Sequence, residues 1–453
     1  MEKIDTIAAL CTAPGGALAI IRISGPDALC ISEKVWTGTH RLAELPPRRL
    51  SFGFALDEKG GRGESCMAVF MPAPASYTGE NVVEIQCHGG EYAPRRMLER
   101  ILHAGARSAE PGEFTRRAFL NGKMDLTQAE AVADLIAAKN DSAGRIAERQ
   151  LAGVLGGRIR ESYAKLSHLL AEIESRLDFP EENLDWQTPE ALVIEFSAIR
   201  TELSGLLSTR RAGMVFRNGV KLVIAGAPNV GKSSLLNRLL GYDRAIVSDI
   251  PGTTRDTLRE NASIRGISVD LSDTAGLRTE TSDRIEALGI ERSRSAIQFA
   301  EIIFWVLDAS HSGKREIEDM LKAVPSGAPV IAIWNKIDLV DENWKPPKTP
   351  FPSVSVSAET GKGMGSLLDL FEKNVWENAE RTEPECAVSA RHAKLLEQAA
   401  ESLDLTEREV QNGNYELAAA NLRGALEAVA GITGEAVVPD ILEDIFSRFC
   451  IGK

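Results

Sequence analysis

Residues 226–233 constrain the fold of this chain more than any other stretch, because they have the Gly-x-x-x-x-Gly-Lys-Ser spacing of a phosphate-binding loop. The apolar residues 220–225 before them predict a strand, and the amphipathic residues 234–240 after them predict a helix. A glycine-rich turn between a strand and a helix points backbone N–H groups at anionic oxygens. We therefore expect Lys232 to reach the β- and γ-phosphates of a nucleotide and Ser233 to bind Mg²⁺.

Further motifs follow in the order that a guanine-nucleotide-binding domain requires. Residues 249–256 supply hydroxyl groups, and Thr254 is the expected second Mg²⁺ ligand. Asp273 follows the predicted strand 267–272 and would hold Mg²⁺ through water. Residues 335–338 read Asn-Lys-Ile-Asp, and their carboxylate can accept two N–H groups that guanine offers and adenine does not. The pattern predicts an α/β domain that binds GTP.

Two residues separate this domain from small signalling GTPases. Leu277 stands where those proteins have the glutamine that orients the attacking water, so the catalytic group must come from elsewhere. Asn229, inside the phosphate loop, has an amide oxygen that could help to hold a monovalent cation beside the phosphates.

With these motifs the chain resembles the MnmE family, also called TrmE, of bacterial and organellar tRNA-modification GTPases. The resemblance includes the GTPase motifs 252–256 and 273–277, but sequences outside that domain make it specific. These are residues 76–80, 87–90, 111–114, 118–126 and the terminal Phe-Cys-Ile-Gly-Lys of 449–453. Motifs and resemblance together imply GTP contacts at Asn229, Val230, Gly231, Lys232, Ser233, Ser234, Ser248, Asp249, Ile250, Pro251, Gly252, Thr253, Thr254, Asp273, Thr274, Ala275, Gly276, Asn335, Lys336, Ile337, Asp338, Ser357 and Ala358.

The resemblance also implies how hydrolysis is activated. Glu286 would position the water through a bridging water molecule, with Glu280 as the alternative because the loop 281–289 is one residue longer than the commonest form. Two GTPase domains would meet across K⁺, so that dimerisation is the activator. The implied K⁺ ligands are the Asn229 side chain, the backbone of Ser248 and Ile250, and Thr253.

Residues 1–119 alternate short apolar runs with turns and predict an α+β domain. The predicted strands are 17–23, 66–71 and 81–86, and a helix is predicted over 90–105. By resemblance this domain mediates dimerisation and binds folate. From the residues alone, a strand arginine and a strand glutamate are more often a solvated pair.

The implied site for 5-formyl- or methylene-tetrahydrofolate consists of Arg22, Glu84, Lys123 and Lys453. Cations suit the glutamate carboxylates of the cofactor, and a carboxylate suits the donors of its pterin ring. Cys450, in the same tail, is open to two interpretations, a nucleophile or a structural residue.

From residue 125 onward the spacing of apolar residues predicts long helices. Thr127 and Glu130 have the spacing of a capping box. Residues 210–213 are expected to end the last helix before the GTPase domain. The predicted helices are 129–138, 142–155, 158–177, 189–209, 389–396, 414–430 and 439–446, with a bundle seam at Leu166, Leu169, Leu170, Ile173 and Leu177.

The expected fold is therefore multidomain. An α+β folate-binding-like N-terminal domain spans 1–119, an α-helical bundle spans 120–218 and 378–453, and an α/β P-loop GTPase domain over 219–377 is inserted into the bundle. A chain of 453 residues with 43% apolar content can bury several cores.

Composition limits the partners and the compartment. A net charge of −13 argues against indiscriminate nucleic-acid binding, so tRNA would need a local basic patch. Residues 85–123 and the helices after them offer one, or else a solvated helix face: Arg95, Arg96, Arg100, Arg107, Arg116, Arg117, Lys123, Arg145, Arg149, Arg158 and Arg160. The sequence has neither a leader nor an apolar run of membrane-spanning length, so we expect a cytoplasmic protein with no membrane partner. Its six cysteines form no C-x-x-C pair, which argues against a zinc site.

The resemblance implies a homodimer that works with the FAD-dependent protein MnmG, as a heterotetramer. Together they would install an aminomethyl or carboxymethylaminomethyl group at C5 of the wobble uridine, position 34, of certain tRNAs, with folate as one-carbon donor. Two alternatives stay open. A ribosome-assembly GTPase would have a basic RNA-binding domain and no folate site, and a GTP-dependent scaffold would use its switch only to control partner docking.

Overall fold

A computed structural model of the chain describes residues 5–57, 60–138, 140–179, 186–242, 259–265, 267–273, 297, 300–311, 314–324, 329–341, 343–376, 383–435, 439–447 and 449–453. The chain forms two compact units. The first unit comprises residues 1–137, 147–204 and 391–453, and the second unit comprises residues 138–146 and 205–390.

The N-terminal part of the first unit is a sheet of seven strands in the order β3-β4-β5-β6-β2-β1-β7, antiparallel except for the β1–β7 pair. Its strands are β1 Ile7–Leu10, β2 Leu18–Ser24, β3 Trp36–Gly38, β4 Ser51–Leu56, β5 Arg62–Met71, β6 Val82–His88 and β7 Arg107–Ser108. Its helices are α1 Ala28–Val35, α2 Tyr92–His103 and α3 Glu113–Leu120, with a 3₁₀ turn at Leu42–Glu44.

Alternation along β2 explains how this sheet buries one face and presents the other. Ile21 and Ile23 are fully buried in the core beneath α1 and α2. Arg22, between them, points to the opposite face, where the antiparallel register puts it directly across from Glu84 on β6. The structure confirms the strands predicted at 17–23, 66–71 and 81–86 and the helix predicted at 90–105, with ends shifted by a few residues.

The helical part of the chain contains α4 Leu126–Ala137, α5 Asp141–Leu151, α6 Val154–Asp178, α7 Pro189–Asn218, α11 Ala390–Gln411, α12 Tyr415–Thr433 and α13 Pro439–Ser447. Helix α6 packs along α12. Leu166, Leu169 and Ile173 are fully buried, as the predicted seam requires, whereas Leu177 at the end of α6 is 36% exposed. In the described residues, no helix is long and apolar enough to cross a membrane.

The capping-box prediction at Thr127 was wrong by two residues. Asp125 is the capping residue: its Oδ1 accepts from the Gln128 N–H at 3.0 Å, and Gln128 Oε1 accepts from the Asp125 N–H at 3.0 Å. The Thr127 hydroxyl donates to the same carboxylate at 2.6 Å. Glu130 is consequently not part of the cap, and its carboxylate pairs with Arg391 and His392 instead.

Two predicted helix limits also differ from the structure. The single helix expected over 142–155 is interrupted at Gly153, whose φ of 89° lies in the left-handed region that glycine tolerates. The stop expected at 210–213 does not occur, because α7 continues to Asn218. Gly213 serves close packing there, since a Cβ would overlap the side chain of Ala387.

The second unit is built on a sheet in the order β13-β12-β11-β8-β10-β9, parallel except for β9. Its strands are β8 Val220–Ala225, β9 Arg259–Ile264, β10 Ile267–Asp273, β11 Ile302–Asp308, β12 Val330–Asn335 and β13 Ser353–Ser355. Its helices are α8 Lys232–Tyr242, α9 Lys314–Ala323 and α10 Met364–Val375, with a 3₁₀ turn at Ile337–Leu339.

Both faces of this sheet are covered, which explains the continuous apolar runs of β11 and β12. One apolar core contains residues of β8, α8 and α10, and a second lies on the other face around Trp305 and Trp334. In the sheet, β10 lies on one side of β8 and β11 lies on the other. The carboxyl end of β8 is therefore a topological switch point. Ligands of such sheets bind at that end.

Candidate active site

The phosphate loop joins β8 to α8, and two of its glycines are required by close approaches. A Cβ at Gly226 would collide with the Val306 carbonyl, and a Cβ at Gly231, with φ 95°, would collide with the side-chain amide of Asn335. The loop also contains Asn229 in the left-handed region, with φ 62°. Its backbone therefore curls tightly against the neighbouring strand ends.

Lys232 starts α8 and folds back over this loop. Its ammonium group donates to the carbonyls of Gly226 at 3.0 Å and Ala227 at 2.7 Å. Ser233 and Ser234, in the first turn of α8, are exposed. A lysine charge, exposed hydroxyls and a helix N-terminus at one place suit the phosphates of a nucleotide.

Asn335, at the end of β12, connects the phosphate loop to the predicted base pocket. It is only 2% exposed. Its Nδ2 donates to the Val230 carbonyl at 2.9 Å, and its Oδ1 accepts from the Ala358 N–H at 3.0 Å. Both polar groups of the Asn335 side chain are therefore used within the protein, and Asp338 is exposed in the following 3₁₀ turn.

Lys336 is oriented by the carboxylate of Asp308, the last residue of β11. The backbone φ of Lys336 is 66°, and its Nζ donates to Asp308 Oδ2 at 2.7 Å. Burial alone would raise the pKa of Asp308, but hydrogen bonds from Lys336 and Ser310 outweigh it and hold the pKa below its usual range. Asp308 therefore stays ionised and keeps Lys336 beside the pocket.

Several predicted site residues lie outside the described residues. They are Ser248, Asp249, Ile250, Pro251, Gly252, Thr253, Thr254, Thr274, Ala275, Gly276, Glu280 and Glu286. Asp273 ends β10 in parallel register with Ile224 of β8, next to the phosphate loop. The Mg²⁺, K⁺ and water-positioning assignments that use the residues outside stay predictions.

A second cluster of predicted site residues lies on the open face of the N-terminal sheet. Arg22 Nε donates to Glu84 Oε1 at 2.8 Å, with only 16% and 18% of the two side chains exposed. The Arg22 guanidinium lies over the rings of Tyr77 and Phe114, at 5.1 and 5.6 Å from their centroids. The pair is thus mostly buried and clamped, which is not what a solvated pair would show.

The C-terminal tail is seated on the same domain. A main-chain oxygen of Lys453 accepts from the Phe114 N–H at 3.1 Å, and Ile451 forms a β-bridge with Pro111. The Cys11 thiol donates to the Gly452 carbonyl at 3.1 Å. The structure therefore brings Lys453 to the vicinity of the Arg22–Glu84 pair.

Lys123 and Cys450 have different surroundings from Lys453. Lys123 is exposed and its Nζ donates to the Pro74 carbonyl at 3.1 Å, so it contacts the loop that also contains Tyr77. Cys450 is exposed. Burial raises the pKa of Cys11, which makes that thiol a poor nucleophile at neutral pH.

Sequence reasoning missed Tyr77, Phe114 and Cys11 as members of this cluster. The first two belong to stretches 76–80 and 111–114, which the family resemblance had already singled out. Their aromatic rings were the available signal, because a cation beside two aromatic residues is a recurrent arrangement. No pattern in the sequence indicated Cys11.

Several arginines of the basic stretch are already paired with carboxylates. Arg107 pairs with Asp5 at 2.7 Å and with Glu113 at 2.6 Å, and Arg117 joins the same two carboxylates at 2.6 and 2.9 Å. These arginines fasten α3 to the N-terminus. Arg160 pairs with Asp125 at 2.8 Å, where it supports the start of α4.

Two features define the second unit as a P-loop GTP hydrolase. A phosphate loop lies at the switch point of a mostly parallel sheet, and an Asn-Lys-Ile-Asp turn follows β12, two strands away. Comparisons with known proteins identify the family of this hydrolase. The profile of the MnmE helical domain matches residues 126–450, and that of the GTP-binding protein TrmE N-terminus matches residues 6–123. The chain belongs to the MnmE (TrmE) family.

Curated relatives match over their full length. The tRNA modification GTPase MnmE of Synechococcus sp. (strain JA-3-3Ab) is 43% identical over 99% of this chain and 98% of its own. The protein of the same name from Nitrosomonas europaea is 42% identical over 100% of both chains. The Thermotoga maritima protein of that name is 40% identical, over 99% of this chain and 100% of its own.

Proposed function

We propose that this protein couples GTP hydrolysis to the modification of C5 of the wobble uridine, position 34, of certain tRNAs. The aminomethyl or carboxymethylaminomethyl group would be installed together with the FAD-dependent partner MnmG. The observation that supports this most is the second cluster, in which Arg22, Glu84 and the tail residue Lys453 lie outside the nucleotide unit. A protein that only switches between GTP and GDP does not need such a site, and relatives that match 99–100% of this chain are named tRNA modification GTPases.

The proposed nucleotide chemistry uses the second unit. Ser233 and Thr254 would hold Mg²⁺, which supplies charge neutralisation on the β- and γ-phosphates. The exposed Ser233 hydroxyl, in the first turn of α8 and beside the end of β10, suits this metal. Asn229, Ser248, Ile250 and Thr253 would hold K⁺, and Glu286 would position the attacking water. GTP hydrolysis rates in K⁺ and in Na⁺ test this part, because only K⁺ should support fast turnover.

The residues of the second cluster suit a folate. Glu84 uses Oε1 for Arg22, and in the described part of the chain its Oε2 has no partner, so that oxygen can accept from the pterin ring. Lys453 and Lys123 supply cations for the glutamate tail of 5-formyl- or methylene-tetrahydrofolate. Folate would supply the one-carbon unit. Calorimetry of 5-formyl-tetrahydrofolate against the wild type and Glu84→Gln tests the site, and absence of binding to the wild-type dimer would remove the folate from the proposal.

The proposed assembly is a cytoplasmic homodimer joined through the N-terminal domain, and a heterotetramer with MnmG. Its domains would be 1–119, the bundle 120–218 with 378–453, and the GTPase domain 219–377. The function itself is tested by nucleoside mass spectrometry of tRNA from a strain lacking this protein, before and after its return. Loss and recovery of the C5-modified uridine is the expected result, and unchanged tRNA would leave a GTPase without a tRNA function.

A further inference from the structure

Arg238 connects the helix of the phosphate loop to the loop that closes the base pocket. It lies on α8, six residues after Lys232. Its Nε donates to the Ala358 carbonyl at 2.9 Å, and its Nη2 donates to the Glu359 carbonyl. Two main-chain carbonyls of the base-pocket loop are thus held by one guanidinium group, whose donors have the fixed spacing of a fork.

The loop that Arg238 holds is closed by its own hydrogen bonds. The Thr360 N–H donates to the Ser357 hydroxyl at 3.0 Å, and the Gly361 N–H donates to the Ser357 carbonyl at 2.8 Å. Ser357 itself is fully buried. These bonds fix the shape of the turn, so its placement against the rest of the unit depends on contacts to other elements.

Two side chains from other elements hold the peptide groups of Ala358. Asn335 on β12 accepts from its N–H, and Arg238 on α8 donates to its carbonyl. Asn335 contacts both the phosphate loop and the base-pocket loop, because its side chain also donates to the Val230 carbonyl. Arg238 adds an independent connection between the same two loops, because α8 begins at the phosphate-loop lysine.

We propose that Arg238 is a specificity-determining positioning residue, which holds the 357–361 loop in the place where it recognises guanine. The proposal rests on the assignment of this pocket to GTP. Discrimination between bases depends on polar groups that only the correct base can satisfy, so a displaced loop weakens base recognition. Phosphate binding depends on the loop 226–233, including Lys232, and in the described residues the Arg238 side chain donates to the 357–361 loop and not to this one.

The test compares a ligand that has a base with one that has none. Arg238→Gln and Arg238→Lys are prepared in the full chain, and GDP affinity is measured by calorimetry, with inorganic pyrophosphate as the ligand without a base. For Arg238→Gln we expect GDP affinity to fall about tenfold, which corresponds to the loss of one charge-assisted hydrogen bond. Pyrophosphate affinity should be unchanged, and Arg238→Lys should recover part of the GDP affinity.

Kinetics and a control separate positioning from general damage. The KM for GTP should rise with the GDP dissociation constant while kcat at saturation stays the same. Lys373→Gln removes a charge from an exposed position on α10 and should change neither ligand. Equal weakening of GDP and pyrophosphate, or unchanged GDP affinity, would overturn the proposal. A wild-type protein that does not prefer GDP to ADP would overturn the GTP assignment on which it rests.

Discussion

At the scale of single residues, Asn335 shows how one buried amide can join two functional loops. Its donor and its acceptor are both used, on Val230 and Ala358. Removing the side chain leaves a buried carbonyl and a buried N–H without these partners. Each such group costs about 1–3 kcal/mol, which is more than the net value of a hydrogen bond between two groups that water could reach.

Asn335→Ala should therefore lower the free energy of unfolding of the second unit by about 2 kcal/mol or more and weaken GDP binding. Urea denaturation and GDP titration measure the two effects. Asn343→Ala is the matched control, because Asn343 is exposed in the connection that follows. An Asn335→Ala protein with the urea midpoint and GDP affinity of the wild type would show that the bridge is not needed.

At the scale of elements, an ion cluster joins three helices of the first unit. Glu130 on α4 accepts from Arg391 Nε at 2.8 Å, and its Oε2 lies 2.6 Å from Nε2 of the buried His392; both partners are on α11. Arg391 also donates to the carbonyls of Gly431 and Ile432 at the end of α12, at 2.8 and 3.0 Å. The helix end is thereby capped by the same cation that neutralises Glu130.

The cluster predicts a pH dependence of stability. Burial would raise the pKa of Glu130, but His392 and then Arg391 outweigh it and hold the pKa at about 2, below the usual 4.5. A carboxyl group with a lowered folded-state pKa stabilises the fold above its unfolded pKa, and this contribution is lost as the pH falls from about 4.5 to about 2. Chemical denaturation across this range should show the loss in the wild type.

Glu130→Gln should cost about 3–5 kcal/mol at pH 7, because it leaves the mostly buried Arg391 guanidinium without its carboxylate. The difference between variant and wild type should shrink as the pH falls through the same range. Glu174→Gln is a suitable comparison, since Glu174 pairs with Arg423 on exposed side chains and should change stability by less than about 1 kcal/mol. A Glu130→Gln penalty that is independent of pH would contradict this account.

Elements were predictable where one simple pattern dominated. Strands β11 and β12 are apolar almost throughout because both sheet faces are covered, so their sequences alone indicate strands. Strand β4 escaped prediction because Phe52 is 60% exposed and glycine interrupts its pattern, and β9 escaped because its sequence is largely polar. The sequence could not indicate which neighbour a charged side chain would choose, so the cap at α4 was placed on Thr127 instead of Asp125.

In the candidate site, too, local motifs were predictable and contacts between distant residues were not. The phosphate loop and residues 335–338 were recognisable because their spacing is local, and Arg22 and Glu84 were named through the family resemblance. The aromatic clamp from Tyr77 and Phe114, and the seat of the tail beside Cys11, depend on contacts between distant parts of the chain. Such contacts become visible only in three dimensions.

At the scale of the whole molecule, the nucleotide site and the tail belong to different units and should be separable by mutation. A chain that ends at Cys450 loses the Lys453–Phe114 bond and the Ile451–Pro111 bridge. It should keep basal GTP hydrolysis and lose folate binding, as measured by phosphate release and calorimetry. Ile451→Ala is the control, because that side chain is 60% exposed and its bridge uses only the backbone.

The central claim is that one chain needs both sites for one reaction on tRNA. The most direct measurement is nucleoside mass spectrometry of tRNA from a deletion strain that expresses the wild type, Lys232→Ala or the chain ending at Cys450. We predict that only the wild type restores the C5-modified wobble uridine, although the truncated chain still hydrolyses GTP. Full restoration by either variant would contradict the claim that both sites serve this modification.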